Sequence, residues 1–189
     1  MLDAEDRIIA MIDELEHLAR RRSDAWQVPR EEGEFLYSLV LSSHARLVVE
    51  VGTSYGFSGL FLGAALRTTG GLLHTIDNDP RKYEMARSTF ERAGLADIIT
   101  IHLGDARQIL PTIEGPIDMA FLDADKEMTR EYFDLVWKYV RRGGSVLTDN
   151  VVTHHEQLKK FVQYVRGRQD VRSGQVAIGN GLEWTVKVA

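Results

Sequence analysis

"RLVVEVGTSYGFSGLFLGAAL", residues 46–66, decides the fold. Residues 46–51 are an apolar, valine-rich run of the kind that forms a strand. Gly52 and Gly56 then permit a tight turn, and 57–66 is an apolar stretch suited to a buried helix. A strand, a glycine turn and an apolar helix form the opening unit of an α/β sheet.

The same unit repeats downstream. "GLLHTID" (71–77) reads as a strand, and "PRKYEMARSTFERAG" (80–94) as a helix started by Pro80 and ended by Gly94. "IITIHLG" (98–104) is a third strand, followed by the short segment "DARQIL". "IDMAFLD" (117–123) is a fourth, followed by the helix "EMTREYFDLVWKYV" (127–140). "GGSVLTDN" (143–150) is a fifth, followed by the helix "HEQLKKFVQYVRG" (155–167). Strands that are apolar on both faces and alternate with helices indicate a buried parallel sheet. The end departs from this. "VRSGQVAIG" and "GLEWTVKVA" meet around Gly179-Asn180-Gly181 with no helix between, a hairpin signal. The expected sheet is therefore mostly parallel, with one antiparallel strand from a C-terminal hairpin and helices on both faces.

Upstream, Ile8, Met11, Ile12, Leu15 and Leu18 have helical spacing, and "EEGEFLYSLVLSS" (31–43) reads as a second helix. The first helix is expected to pack on its own domain; a lid, or a contact with a second copy in a homodimer, is the alternative. The whole chain, 1–189, reads as one domain: N-terminal helices (1–45), a cofactor-binding core (46–150), and a last helix with the hairpin (151–189).

Composition narrows the function. A net charge of −5 argues against a broad grip on nucleic acid or an anionic membrane. Short basic runs such as Arg20-Arg21-Arg22 and Lys159-Lys160 read as solvated helix faces. The absence of cysteine removes disulfides, thiolate metal sites and cysteine nucleophiles. With no apolar run near the roughly 20 residues of a membrane helix, and no signal peptide, a cytoplasmic location is expected.

In an open parallel sheet, ligands sit beyond the carboxyl ends of the strands. The first end carries Glu50, Gly52, Ser54 and Gly56, an acid-x-Gly-x-small-x-Gly pattern. A dinucleotide fingerprint would need glycine at 52, 54 and 57, and two of these fail. The second end carries Asp77, 25 residues past Gly52, suited to accept hydrogen bonds from a ribose diol. Asn78 and Asp79 read as turn and cap residues. Asp105, at the third end, suits either an adenine amine or a helix cap; His102 beside it reads as structural. The fourth and fifth ends carry Asp123 and Asp149-Asn150. Adjacent strands lie about 5 Å apart, so these can converge. Two carboxylates and an amide suit Mg²⁺, Mn²⁺ or Ca²⁺ rather than zinc. Lys126 would act as general base, because a nearby divalent cation favours a neutral amine.

The glycine turn resembles motif I of class I S-adenosylmethionine-dependent methyltransferases, with Ser54 for the usual middle glycine. Taken together, "EVGTSYGFS", "TIDNDP", "GDA", "FLDADK" and "TDNV" resemble the metal-dependent O-methyltransferases of the catechol and caffeoyl-coenzyme A type. That resemblance implies a Rossmann-like seven-stranded methyltransferase sheet and S-adenosylmethionine as cofactor. It implies cofactor contacts from Val28, Glu50, Gly52, Thr53, Ser58, Asp77, Asn78, Asp105, Ala106 and Asp123, with Ser58 on the methionine carboxylate. It implies a divalent metal on Asp123, Asp149 and Asn150, Lys126 as base, and a small aromatic hydroxyl as acceptor. The chain departs from the family at Glu34, where Gln is usual, and at Trp26, where relatives line the acceptor pocket with methionine. "VVTHHEQ" is shorter than the family's insertion, and no acid stands near Gly174-Gln175 to hold a catechol. His154 and His155 are either extra contacts or an exposed helix start, and Asp125 is a turn residue or a partner of the lysine. A metal-independent methyltransferase and a non-catalytic cofactor-binding domain are the alternatives.

Overall fold

The computed structural model describes residues 6–189. Seven strands form one sheet: β1 (Leu47–Val51), β2 (Leu72–Asp77), β3 (Ile99–Leu103), β4 (Ile117–Leu122), β5 (Val140–Thr148), β6 (Val171–Val176) and β7 (Leu182–Lys187). Their spatial order is β3-β2-β1-β4-β5-β7-β6. The first five are mutually parallel, and β7 runs antiparallel between β5 and β6. The expected single antiparallel strand is thus the second arm of the terminal hairpin.

Two layers of helices cover the sheet. Helices α1 (Asp6–Ala19), α2 (Arg30–Ser43), α3 (Phe57–Thr69) and α4 (Pro80–Ala93) bury one face around Val48, Leu60, Phe61, Phe90 and Phe121. Helices α5 (Ala106–Ile109), α6 (Thr129–Trp137) and α7 (His155–Arg166) bury the other around Val49, Ile76, Phe133 and Phe161. Val48 and Val49 serve opposite faces, as the two-residue repeat of a strand requires. Residues 1–5, in which the N-terminal helix is expected to begin, lie outside the described residues. Ile8, Met11, Ile12 and Leu15 are buried in the chain's own core, so packing is the role the fold gives α1.

The boundaries around the fifth strand differ. The helix expected over 127–140 ends at Trp137, and β5 begins at Val140. The β4–β5 register shifts between Ile117 and Met119, which accommodates the extra strand residues around Gly143 and Gly144. At its other end β5 stops at Thr148, so Asp149 and Asn150 lie just beyond it.

The order reverses between β1 and β4, where the sheet has its crevice. Backbone bonds lock the strand ends there. Gly52 N–H donates to the Ile76 carbonyl at 2.9 Å, Asp123 N–H to Val51 at 2.9 Å, and Asp149 N–H to Leu122 at 3.0 Å.

Candidate active site

Gly52 has φ +108°, and a Cβ there would lie 2.0 Å from the Asp123 carbonyl oxygen. The first glycine is therefore required by the backbone of β4's end, before any ligand is considered. Two residues on, Ser54 holds φ +47°, a conformation that favours glycine. Its N–H donates to Asp77 Oδ2 at 2.8 Å, which fixes the turn to the end of β2. Asp77 Oδ1 accepts from Asp79 N–H at 3.0 Å, and Asp79 caps α4. Each Asp77 oxygen accepts one backbone bond and has a further lone pair for a diol.

Glu50 lies beneath this turn, fully buried. Ser58 donates to its Oε1 at 2.6 Å and Thr75 to its Oε2 at 2.6 Å. Because the Thr75 hydroxyl has one proton, Thr53 is the donor in the 2.6 Å Thr53–Thr75 contact. Burial pushes the Glu50 carboxyl up to about 7. The Ser58 hydroxyl is thus engaged by Glu50, and Glu50 supports the turn from inside the core.

Asp105 is the N-cap of α5. It accepts from Arg107 N–H at 2.9 Å and pairs with the Arg107 guanidinium at 2.6 Å. Of the two readings the sequence allowed, the structure shows the cap. His102 stacks on His74, with ring nitrogens 2.9 Å apart, in the structural place expected of it. Val28 is buried in the main core, while Trp26, two residues earlier, is 73% exposed with Lys82 Nζ 4.8 Å over its ring. Lys82 opens α4, just beyond Asp77, and Tyr55 in the glycine turn donates to Asp24 at 3.0 Å. The segment carrying Trp26 thus lies over the first and second strand ends.

The acids of the fourth and fifth ends do come together. Lys126 Nζ donates to Asp123 Oδ1 at 2.8 Å, with their side chains 15% and 23% exposed. Asp149 is buried, and burial followed by repulsion from Asp123 pushes its carboxyl up. Asp149 Oδ1 accepts the Asn150 N–H, and Oδ2 accepts from Asn180 Nδ2 at 3.2 Å. Asn150, at φ +66°, donates Nδ2 to Thr153 Oγ1 at 3.1 Å. Among the described residues no three His, Cys, Asp or Glu side chains form a ready-made metal cage.

Two residues of this cluster escaped sequence reading. Glu32, from the first turn of α2, is buried; burial and then Asp149 push its carboxyl up. Asn180, at the tip of the β6–β7 hairpin, donates its N–H to Glu32 Oε2 at 3.2 Å as well as its amide to Asp149. The remaining charges of the fourth end resolve simply. Asp125 Oδ1 accepts from Glu127 N–H, a turn contact entering α6. His154 and His155 are exposed; His154 Nδ1 lies 3.2 Å from Thr153 Oγ1 and His155 pairs with Glu156. No helix among the described residues is long and apolar enough to cross a membrane.

Comparison with known proteins agrees with this geometry. The sequence model described as O-methyltransferase matches residues 4–183. A catechol O-methyltransferase of Mycobacterium tuberculosis is 38% identical over 136 residues, 69% of this chain and 61% of that protein. A second, of Niastella koreensis, is 34% identical over 147 residues, 76% of this chain and 66% of that protein. The matches span about three fifths to two thirds of these relatives' own length. An O-methyltransferase of Streptomyces achromogenes in complex with SAM superposes with a TM-score of 0.85 and 28% identity, covering 100% of this chain and 93% of that one. One of Bacillus cereus in complex with SAH gives 0.84 and 25%, over 99% and 93%. The chain belongs to the O-methyltransferase family.

Proposed function

We propose that this chain transfers the methyl group of S-adenosylmethionine to a hydroxyl of a small aromatic, catechol-like acceptor, with a divalent cation at Asp123, Asp149 and Asn150. The observation that carries the reading is the meeting of Lys126, Asp123 and Asp149 at the carboxyl edge of β4 and β5, beside the glycine turn of β1. The relatives' names, catechol O-methyltransferase, support the acceptor class. The neighbours in complex with SAM and SAH support the cofactor.

In this reading Gly52, Thr53 and the turn to Gly56 surround the methionine part, and Asp77 holds the ribose. Asn78, Asp105 and Ala106 border the base, with Asp105 offering only what its cap bonds leave. Val28 closes the floor of the segment that carries Trp26. For the cation, the donors fit by chemistry: hard oxygens from two carboxylates, with Asp123 Oδ2 left by the lysine, and the Asn150 amide, whose nitrogen is held by Thr153. A bound Mg²⁺, Mn²⁺ or Ca²⁺ would make the acceptor hydroxyl more acidic and neutralise its oxyanion. The chain's own work is alignment of the oxygen with the sulfonium methyl for in-line attack. Lys126 would take the hydroxyl proton at Nζ. Lys126 donates to Asp123 here; an ammonium has no lone pair, so Nζ would accept the hydroxyl proton only as the neutral amine, which a bound cation would favour.

One observation favours a second reading. The Lys126 ammonium balances the Asp123 charge by itself, as a metal-independent methyltransferase would need. Methyl transfer from S-adenosylmethionine to catechol and caffeate, measured in excess chelator and then with Mg²⁺ restored, separates the two. Activity that survives the chelator unchanged removes the metal from the proposal.

A further inference from the structure

We propose that Glu32 is a fourth oxygen donor of the cation site, delivered from the first turn of α2. The inference rests on the metal reading above. It begins with what Glu32 is not doing. A glutamate third in a helix ordinarily reaches back to the N–H of the capping residue. The cap of α2 is Pro29, which has no N–H. Glu32 has no such duty, yet it is fully buried.

Its two oxygens are treated differently. Oε2 accepts the Asn180 N–H at 3.2 Å, and the hairpin tip is packed hard on it: a Cβ on Gly179 would stand 2.2 Å from that atom. Oε1 accepts from no N–H or O–H, and the side chain that Glu32 meets is the Asp149 carboxyl, with which it can share a proton. An unpaired carboxylate oxygen away from water is strongly unfavourable, and buried acids are ordinarily paired with a base. Among the described residues, the charges that act on it are Asp149 first and Asp123 after it, both acids.

Asn180 fixes this arrangement from one residue. Its N–H anchors Glu32 and its side-chain amide anchors Asp149 Oδ2 at 3.2 Å. The hairpin therefore presents both carboxyl groups to one place and leaves Glu32 Oε1 without an N–H donor. Glu32 and Asp149 face one another and Asp123 acts on both; a proton shared by the pair relieves the repulsion, and a divalent cation taking its place would do the same. The open N-terminal turn of α2 also favours a negative charge at Glu32. A third carboxylate would raise the site's affinity for hard divalent cations over that of two acids and an amide.

The test is Mn²⁺ binding to the full chain, followed by calorimetry and by the loss of the free-ion electron paramagnetic resonance signal. Wild type, Glu32→Gln and Asp123→Asn are compared, each first stripped of metal. Glutamine keeps the bond from Asn180, so the fold should persist, and thermal unfolding without metal should show Glu32→Gln at least as stable as wild type. The expected result is that Glu32→Gln weakens Mn²⁺ by about tenfold or more, and that added Mn²⁺ raises its melting temperature less than that of wild type. If Glu32→Gln binds Mn²⁺ as wild type does while Asp123→Asn has lost it, Glu32 is a structural acid and the proposal is wrong, though the metal reading stands. If wild type binds no Mn²⁺, the metal reading fails and the role of Glu32 fails with it.

Discussion

Lys126 Nζ and Asp123 Oδ1 stand 2.8 Å apart, three residues from one another, where β4 leaves the sheet. The same aspartate also raises the proton affinity of Asp149 at the end of the neighbouring strand. Asp123 is thus paired with the Lys126 ammonium and repels a second acid, on which Lys126 also acts. The balance of charge at this residue is the centre of the chemistry.

Lys126→Met should lower kcat for methyl transfer by about 100-fold or more, the range expected for losing a general base. Cofactor affinity should change little, since Lys126 lies at the end of β4 and Asp77 at the end of β2. Calorimetry with S-adenosylhomocysteine alongside kcat measurements checks both. A parallel fall in cofactor affinity would point to a structural lysine.

Gly52→Ala should be severely destabilising. The new Cβ would meet the Asp123 carbonyl at 2.0 Å, and φ +108° is unfavourable for alanine. A loss of about 3 kcal/mol or more is expected from backbone strain together with the clash. Urea unfolding reads it, and a near-neutral effect would mean the strand ends are not locked as described.

Glu50 gives a pH dependence with a defined sign. Burial disfavours the charged form and pushes its carboxyl up to about 7, above the ordinary 4.5. Between these values the folded state holds a proton that the unfolded state releases. The contribution of Glu50 to stability is therefore fully present below about 4.5 and declines as pH rises to about 7, by at most about 1.4 kcal/mol per pH unit. Glu50→Gln should remove that decline, so the stability of the variant relative to wild type should increase from pH 4.5 to 7. A difference that stays flat across denaturation curves in this window would contradict the buried-acid account.

Arg166 reaches from α7 to the fully buried Glu183 on β7 with two hydrogen bonds of 2.7 and 2.6 Å. Arg166→Met should destabilise the fold by about 2–3 kcal/mol, at the lower end for a broken buried pair because the arginine is half exposed. Because β7 follows directly on the tip that carries Asn180, metal affinity should fall with it. Chemical denaturation and Mn²⁺ titration of one sample read both effects.

Much of the site could be read along the chain because it sits at strand ends. Residues 46–51 and 117–123 are apolar runs that stop at Gly52 and Asp123, and a parallel sheet brings such ends together. Asp149 followed by the same logic. Roles that depend on packing were not legible. Glu32 and Asn180 lie on a helix and a hairpin tip whose docking no local pattern encodes. The one local sign for Glu32 is an acid third in a helix whose cap is Pro29 and so gives it nothing to bond. Ser58 was visible as a helix-start hydroxyl, but not its partner, because Glu50 lies beneath the turn. Trp26 stands where the resemblance puts a methionine of the acceptor pocket, and its contact with Lys82 was not legible because it depends on how the segment 20–29 docks. Asp105 shows the limit of residue type alone, since a carboxylate before a short helix serves a cap as well as an amine.

The measurement closest to the centre of the account is methyl transfer from S-adenosylmethionine to catechol by the wild-type chain, stripped of metal and then titrated with Mg²⁺, beside Asp123→Asn and Asp149→Asn. The account predicts that wild type is inactive when stripped and recovers on adding Mg²⁺, and that neither variant recovers. Full activity of the stripped wild type, or of either variant, would contradict it.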